Sequence, residues 1–438
     1  MPEPREFICE AYRFEPDTGV LALNYAFDTG IRFQERIIFP VAERMLAADE
    51  NGALDRVFRM LLLACGVSYY KAFAPPVVSC KAFPVDQATA DFFTEFYVKG
   101  LAEYAYRNGI DLASRLRIVA DPIDAPVAIR LALPRRTCVP IGGGKDSIVT
   151  LECLKLASEN LLLFSLGSAA PIEATIRQSR QPAIHVMRRL DPVLFELNAA
   201  GALNGHVPIT GILSMIVLAC AIMCGCDTIA MSNEHSASAP NIASGGTDVN
   251  HQWSKSFSFE QMLQNHIARY IVDGITYFSF LRPLTEIAIA SRFSRQADYL
   301  PIFRSCNAAF RQAPEQRAGN WCCDCPKCRF VFLALAPFVA KPRLIATFGR
   351  NLLNEPTQFD GFAELCGLRH HKPFECVGEI EESASAMRHL AGMPDWQDDA
   401  VPRALSSRIG SPEFASLFGF REPHAVPQRF LAMLDACG

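Results

Sequence analysis

Thr137-Cys138-Val139-Pro140-Ile141-Gly142-Gly143-Gly144-Lys145-Asp146-Ser147 is the stretch whose reading decides the fold. Its first five residues form a short apolar run suited to a buried strand. From Lys145 to Ser158 the apolar side chains Ile148, Leu151, Leu154 and Leu156 follow helical spacing. Three glycines between strand and helix let the backbone turn sharply and bring N–H groups against phosphate oxygens, because no Cβ stands in the way. The N-terminus of the following helix favours an anion at the same place. Lys145 adds a cation, Ser147 a hydroxyl, and Asp146 a carboxylate able to hold Mg²⁺ through water. The spacing is that of neither a Walker loop nor a dinucleotide fingerprint. A tight strand-to-helix turn is the plainer alternative, but Gly-Gly-x-Asp-Ser directly after a strand is narrower than a turn requires.

Outward from this loop the pattern repeats. Leu161 to Leu166, Ala183 to Met187 and Thr228 to Met231 read as buried strands with helical segments between them, which predicts a parallel sheet covered by helices on both faces. Such a sheet binds its ligand in the crevice outside the strand carboxyl ends. The loop after Met231, Ser232-Asn233-Glu234-His235-Ser236-Ala237-Ser238, is therefore a candidate for ligand contact; a solvated strand-to-helix loop is the alternative. Before the glycine loop, residues 6 to about 40 alternate in polarity as strands do, with a turn at Glu15-Pro16-Asp17-Thr18-Gly19. Residues 41 to 71 and Asp91 to Asn108 read as helices. The expected organisation is an α+β domain over 1–134, a doubly wound α/β domain over 135–340, and a polar, mixed C-terminal segment over 341–438 that contributes to the site.

At 438 residues and a net charge of −4, the chain exceeds one ordinary core and lacks the basic balance of a nucleic-acid binder. The N-terminus is charged and no signal-like run follows it. The longest apolar stretch, Ile212 to Cys226, is too short to span a bilayer comfortably and reads as a buried helix. Sixteen cysteines are not set out as a small secreted framework; single ones in apolar runs, such as Cys65, Cys220 and Cys224, suit a reducing, cytoplasmic environment. Cys322, Cys325 and Cys328 have Cys-x2-Cys-x2-Cys spacing, with Cys306 upstream as a fourth ligand for tetrahedral Zn²⁺. A reduced cysteine-rich loop packed on the sheet is the alternative, and Cys323 is redundant.

The glycine loop resembles the Ser-Gly-Gly-x-Asp-Ser signature of PP-loop (HUP-like) ATP pyrophosphatases, with Gly142 in place of the first serine. Ser165-Leu166-Gly167 ends the next strand, where that family holds adenine. Leu281 to Ile287 resembles its Pro-Leu…Glu-Ile segment in shortened form. Four further segments join the pattern: Gly66 to Lys71, Gly205 to Gly211, Ser232 to Asn241 and His371 to Glu379. Together they resemble the MurL family of ATP-dependent UDP-N-acetylmuramoyl-L-alanyl-L-glutamate epimerases. The resemblance implies a terminal L-glutamate activated as an acyl-adenylate, inverted at its α-carbon by proton transfer, and released with AMP and pyrophosphate. It also implies a UDP-MurNAc-dipeptide substrate and a pathway ligase that adds the L-glutamate. His371, Glu375 and Cys376 are the candidate bases, a thiolate being competent toward a carbon acid, although a lone cysteine beside Val377 is often simply buried. His235 and Glu234 are candidate relays; Lys71, Arg282 and Asn233 are candidate substrate contacts. A PP-loop ligase or amidotransferase acting on a small metabolite such as a deazapurine is the alternative.

Overall fold

The computed structural model describes residues 3–41, 44–244, 247–306, 320–369, 372–410 and 413–438. Its fourteen described strands are β1 Glu6–Glu15, β2 Val20–Phe27, β3 Arg32–Ile38, β4 Val77–Cys80, β5 Arg117–Ile118, β6 Ile129–Arg130, β7 Thr137–Pro140, β8 Leu161–Leu166, β9 Ala183–Arg189, β10 Thr228–Met231, β11 Ile242–Ser244, β12 Thr247–Val249, β13 Val272–Asp273 and β14 Thr276–Ser279. Ten of them form one sheet in the order β14-β10-β7-β8-β9-β3-β2-β1-β4-β5. From β14 to β9 all neighbours are parallel. The chain runs from β7 outward to β8 and β9, then returns to β10 and β14 on the other side. That reversal puts a crevice between the carboxyl ends of β7 and β10, where the glycine loop and the Ser232 loop both begin.

The parallel strands are buried on both faces, and neighbouring residues belong to different cores. Cys138, Leu162 and Phe164 pack with the apolar helix Ile209–Cys224 and the long helix Ala48–Tyr70 on one face. Val139, Leu161 and Leu163 pack with helices Lys145–Leu156, Glu286–Ser294 and Pro326–Leu335 on the other. This is the period-two alternation of a strand serving two helical layers. Helix Ile209–Cys224 is stopped by Gly225 at φ +67°, and no described helix is long and apolar enough to cross a membrane.

The sequence reading placed a boundary at residue 134, but neither the sheet nor its core stops there. β3 pairs antiparallel with β9 through Arg36–Arg189, Ile37–Arg188 and Ile38–Met187. At that seam Arg188 is paired with the fully buried Glu35 at 2.6 Å and bonded to Ser68 at 2.8 Å. A second difference concerns the C-terminal segment, expected to be loose and polar. Leu344, Phe362, Trp396, Phe430 and Leu434 are buried in the second core. Cys437 is joined by a disulfide to Cys153 on helix Lys145–Leu156, with Cα atoms 5.5 Å apart. The reading of a reducing environment did not foresee this pairing, because the partners are 284 residues apart in sequence.

Candidate functional site

The glycine loop is shaped by close approach. Gly143 has φ +75°, and a Cβ there would lie 2.9 Å from the Ile172 nitrogen. Its carbonyl accepts from the Arg304 amide at 2.9 Å. A Cβ on Gly144 would meet the Ser305 hydroxyl at 2.8 Å, whereas one on Gly142 meets nothing within 4 Å. Helix Lys145–Leu156 starts immediately after, with Asp146 in its first turn and the Ser147 hydroxyl bonded to the Gly144 carbonyl at 3.1 Å. At the end of β8, Ser165 donates to the Gly167 carbonyl at 3.0 Å and lies 2.8 Å from His185 Nδ1.

Lys145 does not reach outward. Its ammonium is buried between Asp146 and Glu286, the latter on helix Glu286–Ser294. Burial opposes ionisation of Asp146, but Lys145, Lys327 and Lys255 outweigh it and hold the carboxyl below its usual range. Glu286 is the opposite case: burial pushes it up to about 7, with Asp146 and Glu234 adding to the rise. Glu382, at the start of helix Ile380–Leu390, is pushed up to about 8 by burial and by Glu286. It accepts from the amides of Glu286 at 2.8 Å and Glu379 at 2.9 Å.

The loop after β10 and the segment ending at Glu379 converge on this network. Glu234 is buried, and its charge acts on both Lys255 and Glu286. His235 is half-buried; burial lowers its pKa, and Glu379 partly offsets that. Asn233 donates to the Ser279 hydroxyl at 2.9 Å. Lys255 holds the Cys376 sulfur at 3.4 Å, and Lys327 donates to the Cys376 carbonyl. Burial alone would raise the Cys376 thiol; Lys255, a hydrogen bond from His251, and Lys327 bring it down to about 6. Lys372 is buried, and among the described residues its ammonium has no hydrogen-bond partner, while the charges of Glu379, Glu382, Glu234 and Glu286 act on it.

Two of the residues singled out as substrate contacts are committed within the protein. Arg282 is fully buried, pairs with Glu260 at 2.9 Å and donates to the Glu234 and Lys255 carbonyls, so it braces the crevice wall. Lys71 donates to Asn204 and, at 3.1 Å, to the Gly205 carbonyl; with no carboxylate partner among the described residues, burial lowers it to about 8. Glu375 precedes Cys376 in the chain and its amide donates to the Pro373 carbonyl at 2.8 Å, and His371 lies outside the described residues. Sequence reasoning missed Lys255, His251, Lys327, Glu286 and Glu382. Glu286 stood within the quoted Leu281 to Ile287 segment, but Lys255 and His251 carry no motif, since only the chain's path around β11 and β12 brings them here.

The cysteine cluster lies behind Lys327. The sulfurs of Cys306, Cys322, Cys325 and Cys328 all fall within 4.8 Å of one another. Cys322 and Cys328 sulfurs are 3.6 Å apart, against about 3.8 Å for the edge of a tetrahedron of Zn–S bonds. Cys323 turns away, at φ +59°, and bonds the Phe348 carbonyl at 3.3 Å, which resolves the redundancy.

Comparison with known proteins covers most of the chain. The MurL N-terminal domain family matches residues 1–280 and the MurL C-terminal domain family matches residues 302–416. The chain belongs to the MurL family. A UDP-N-acetyl-alpha-D-muramoyl-L-alanyl-L-glutamate epimerase of Xanthomonas oryzae pv. oryzae is 41% identical over 88% of this chain and 86% of its own. Proteins of the same name from Salinispora tropica and a Micromonospora species are 43% and 41% identical, covering 92% and 98% of this chain and 88% and 97% of theirs.

Proposed function

We propose that this protein inverts the terminal L-glutamate of UDP-MurNAc-L-Ala-L-Glu to D-glutamate, using ATP as a co-substrate, in the synthesis of peptidoglycan precursors. A ligase that adds L-glutamate to the preceding nucleotide-sugar peptide would supply its substrate. The observation that carries the reading is that Lys255 and Lys327, which bond the Cys376 sulfur and carbonyl, also act on the charge of Asp146 in the glycine loop. The names of the relatives give the substrate. A ligase or amidotransferase reading has no such support.

The residues present suit ATP and Mg²⁺. The crowded turn at Gly143 suits a backbone that approaches phosphate, the orphaned Lys372 ammonium suits an anion, and Asp146 is held ionised toward a cation. The four sulfurs suit a structural Zn²⁺. Activation joins a substrate carboxylate oxygen to the α-phosphorus as the bond to pyrophosphate breaks. Loss of the carboxylate charge makes the carbonyl a better electron sink. In this reading the Cys376 thiolate then takes the α-proton, and His235 or Glu234 returns one to the opposite face. Water finally cleaves the mixed anhydride, releasing AMP and the epimerised acid.

The test is turnover in deuterium oxide with ATP, Mg²⁺ and the UDP-MurNAc-dipeptide. Deuterium at the glutamate α-carbon with stoichiometric AMP and pyrophosphate is expected. Product without deuterium, or turnover that requires ammonia, would overturn the proposal.

A further inference from the structure

His251 sits where three remote parts of the chain meet. Its Nδ1 is hydrogen-bonded to Glu103 on helix Ala102–Asn108, 148 residues earlier. Its charge acts on the Cys376 sulfur, which Lys255 holds at 3.4 Å. Its backbone amide donates to the Asn241 side chain at 2.9 Å, which fixes where the ring stands. The His206 ring lies against it, with centroids 4.2 Å apart.

We infer that Glu103, His251 and Cys376 form a triad in which His251, oriented by Glu103, is the positioning residue that keeps the Cys376 sulfur a thiolate ready to accept a proton. A thiol is a poor base until its proton is removed, and a neighbouring imidazolium is a general way of stabilising the thiolate. The groups facing each member favour this distribution. Around Cys376 stand Lys255, Lys327 and His251. Around His251 stand Glu103 and Cys376, which together raise it to about 9 against the cost of burial. His206 is pushed down to about 3 by burial, by His251 and by the nearby Lys255 and Lys71, so it packs as a neutral ring. Arg107 takes the other oxygen of Glu103 at 2.6 Å. An imidazolium there has the Glu103 carboxylate at its Nδ1 and the charge of a Cys376 thiolate to favour it.

Glu103, His206 and His251 also bring their ligand atoms within 4.8 Å of one another. The surrounding charge decides against a cation there. Arg107 occupies Glu103, and the ammonium groups of Lys255 and Lys71 act on His206, so a dication would enter a field of like charge.

The assignment of the triad to proton transfer rests on the epimerase reading, but its existence can be tested without substrate. In the full chain without nucleotide, thiolate absorbance at 240 nm and the rate of alkylation by iodoacetamide would be followed against pH, with Cys376→Ser as the baseline for the other cysteines. The wild-type inflection is expected near 6. In His251→Asn it should rise by two units or more, cutting alkylation at pH 7 by about tenfold as the thiolate fraction falls. Glu103→Gln should move it the same way by less. A wild-type inflection near the ordinary thiol value of about 8.5 would overturn the triad, as would unchanged titration in a folded His251→Asn or Glu103→Gln. A normal titration shift alongside a failed deuterium assay would instead retain the triad and remove the epimerase reading.

Discussion

Asn241 donates its side-chain amide to the Pro373 carbonyl at 2.7 Å and accepts the His251 amide on its other end at 2.9 Å. One buried side chain thus ties the loop after β10 to the segment that carries Cys376 and to the histidine beside it. Asn241→Asp keeps an acceptor for His251 but loses the donor to Pro373. Leaving a buried carbonyl unpaired costs about 1–3 kcal/mol. We expect a lower thermal midpoint and a loss of epimerisation larger than any loss of ATP binding, checked by thermal denaturation and by calorimetric titration with ATP.

Glycine identity matters unequally within the loop. Gly143→Ala would force a left-handed backbone and a contact of 2.9 Å with both the Ile172 nitrogen and the Pro171 carbonyl carbon. About 1–3 kcal/mol of strain is expected, together with loss of ATP binding. Gly142→Ser adds its side chain into open space. It should fold normally and bind ATP at least as tightly as the wild type, because it restores a hydroxyl found in the related signature. Parallel ATP titrations of the two variants check both statements.

Much of the central sheet was readable from the sequence, because buried parallel strands are short apolar runs and each was followed by a helix. The helical expectation for Ile212 to Cys226 is met by Ile209–Cys224. The joining of β3 to β9 was not readable, since alternating strands state which face is buried but not which edge they will meet. The same division runs through the site. The glycine loop and the four cysteines announce themselves by spacing. Lys255, His251 and Glu103 belong to no motif, and Arg282, read as a substrate contact, is paired with Glu260. Local chemistry is written in spacing, whereas charge partners across the chain are written only in the fold.

Glu382 gives the stability curve a definite sign. Its folded pKa, about 8, lies above the ordinary carboxylate value of 4.5. The native state therefore keeps a proton that the unfolded chain releases as pH rises from about 4.5 to 8, and stability falls over that window. One extra native proton corresponds to a slope of about 1.4 kcal/mol per pH unit. Glu286, pushed up to about 7, acts in the same direction. Glu382→Gln should flatten the slope of denaturant-derived stability between pH 5 and 8, whatever it costs in absolute stability through one of the two amide hydrogen bonds. An unchanged slope would show that Glu382 ionises normally.

The cysteine cluster predicts a metal whose removal is felt at the site. Cys325 accepts from the Cys328 amide at 3.4 Å at the start of helix Pro326–Leu335, so the cluster fixes the turn that carries Lys327. Lys327 reaches the Cys376 carbonyl and acts on Asp146 and Glu286. We expect one zinc per chain by elemental analysis of the wild type and of Cys323→Ser, and loss of it in Cys328→Ser. Chelation should lower the thermal midpoint and reduce epimerisation together, and added Zn²⁺ should restore both. Lys327→Met should reduce epimerisation while keeping the zinc, since its ammonium acts beyond the cluster and contributes no sulfur. If Lys327→Met lost the metal as readily as Cys328→Ser, the lysine would be a support for the cluster rather than its link to the site.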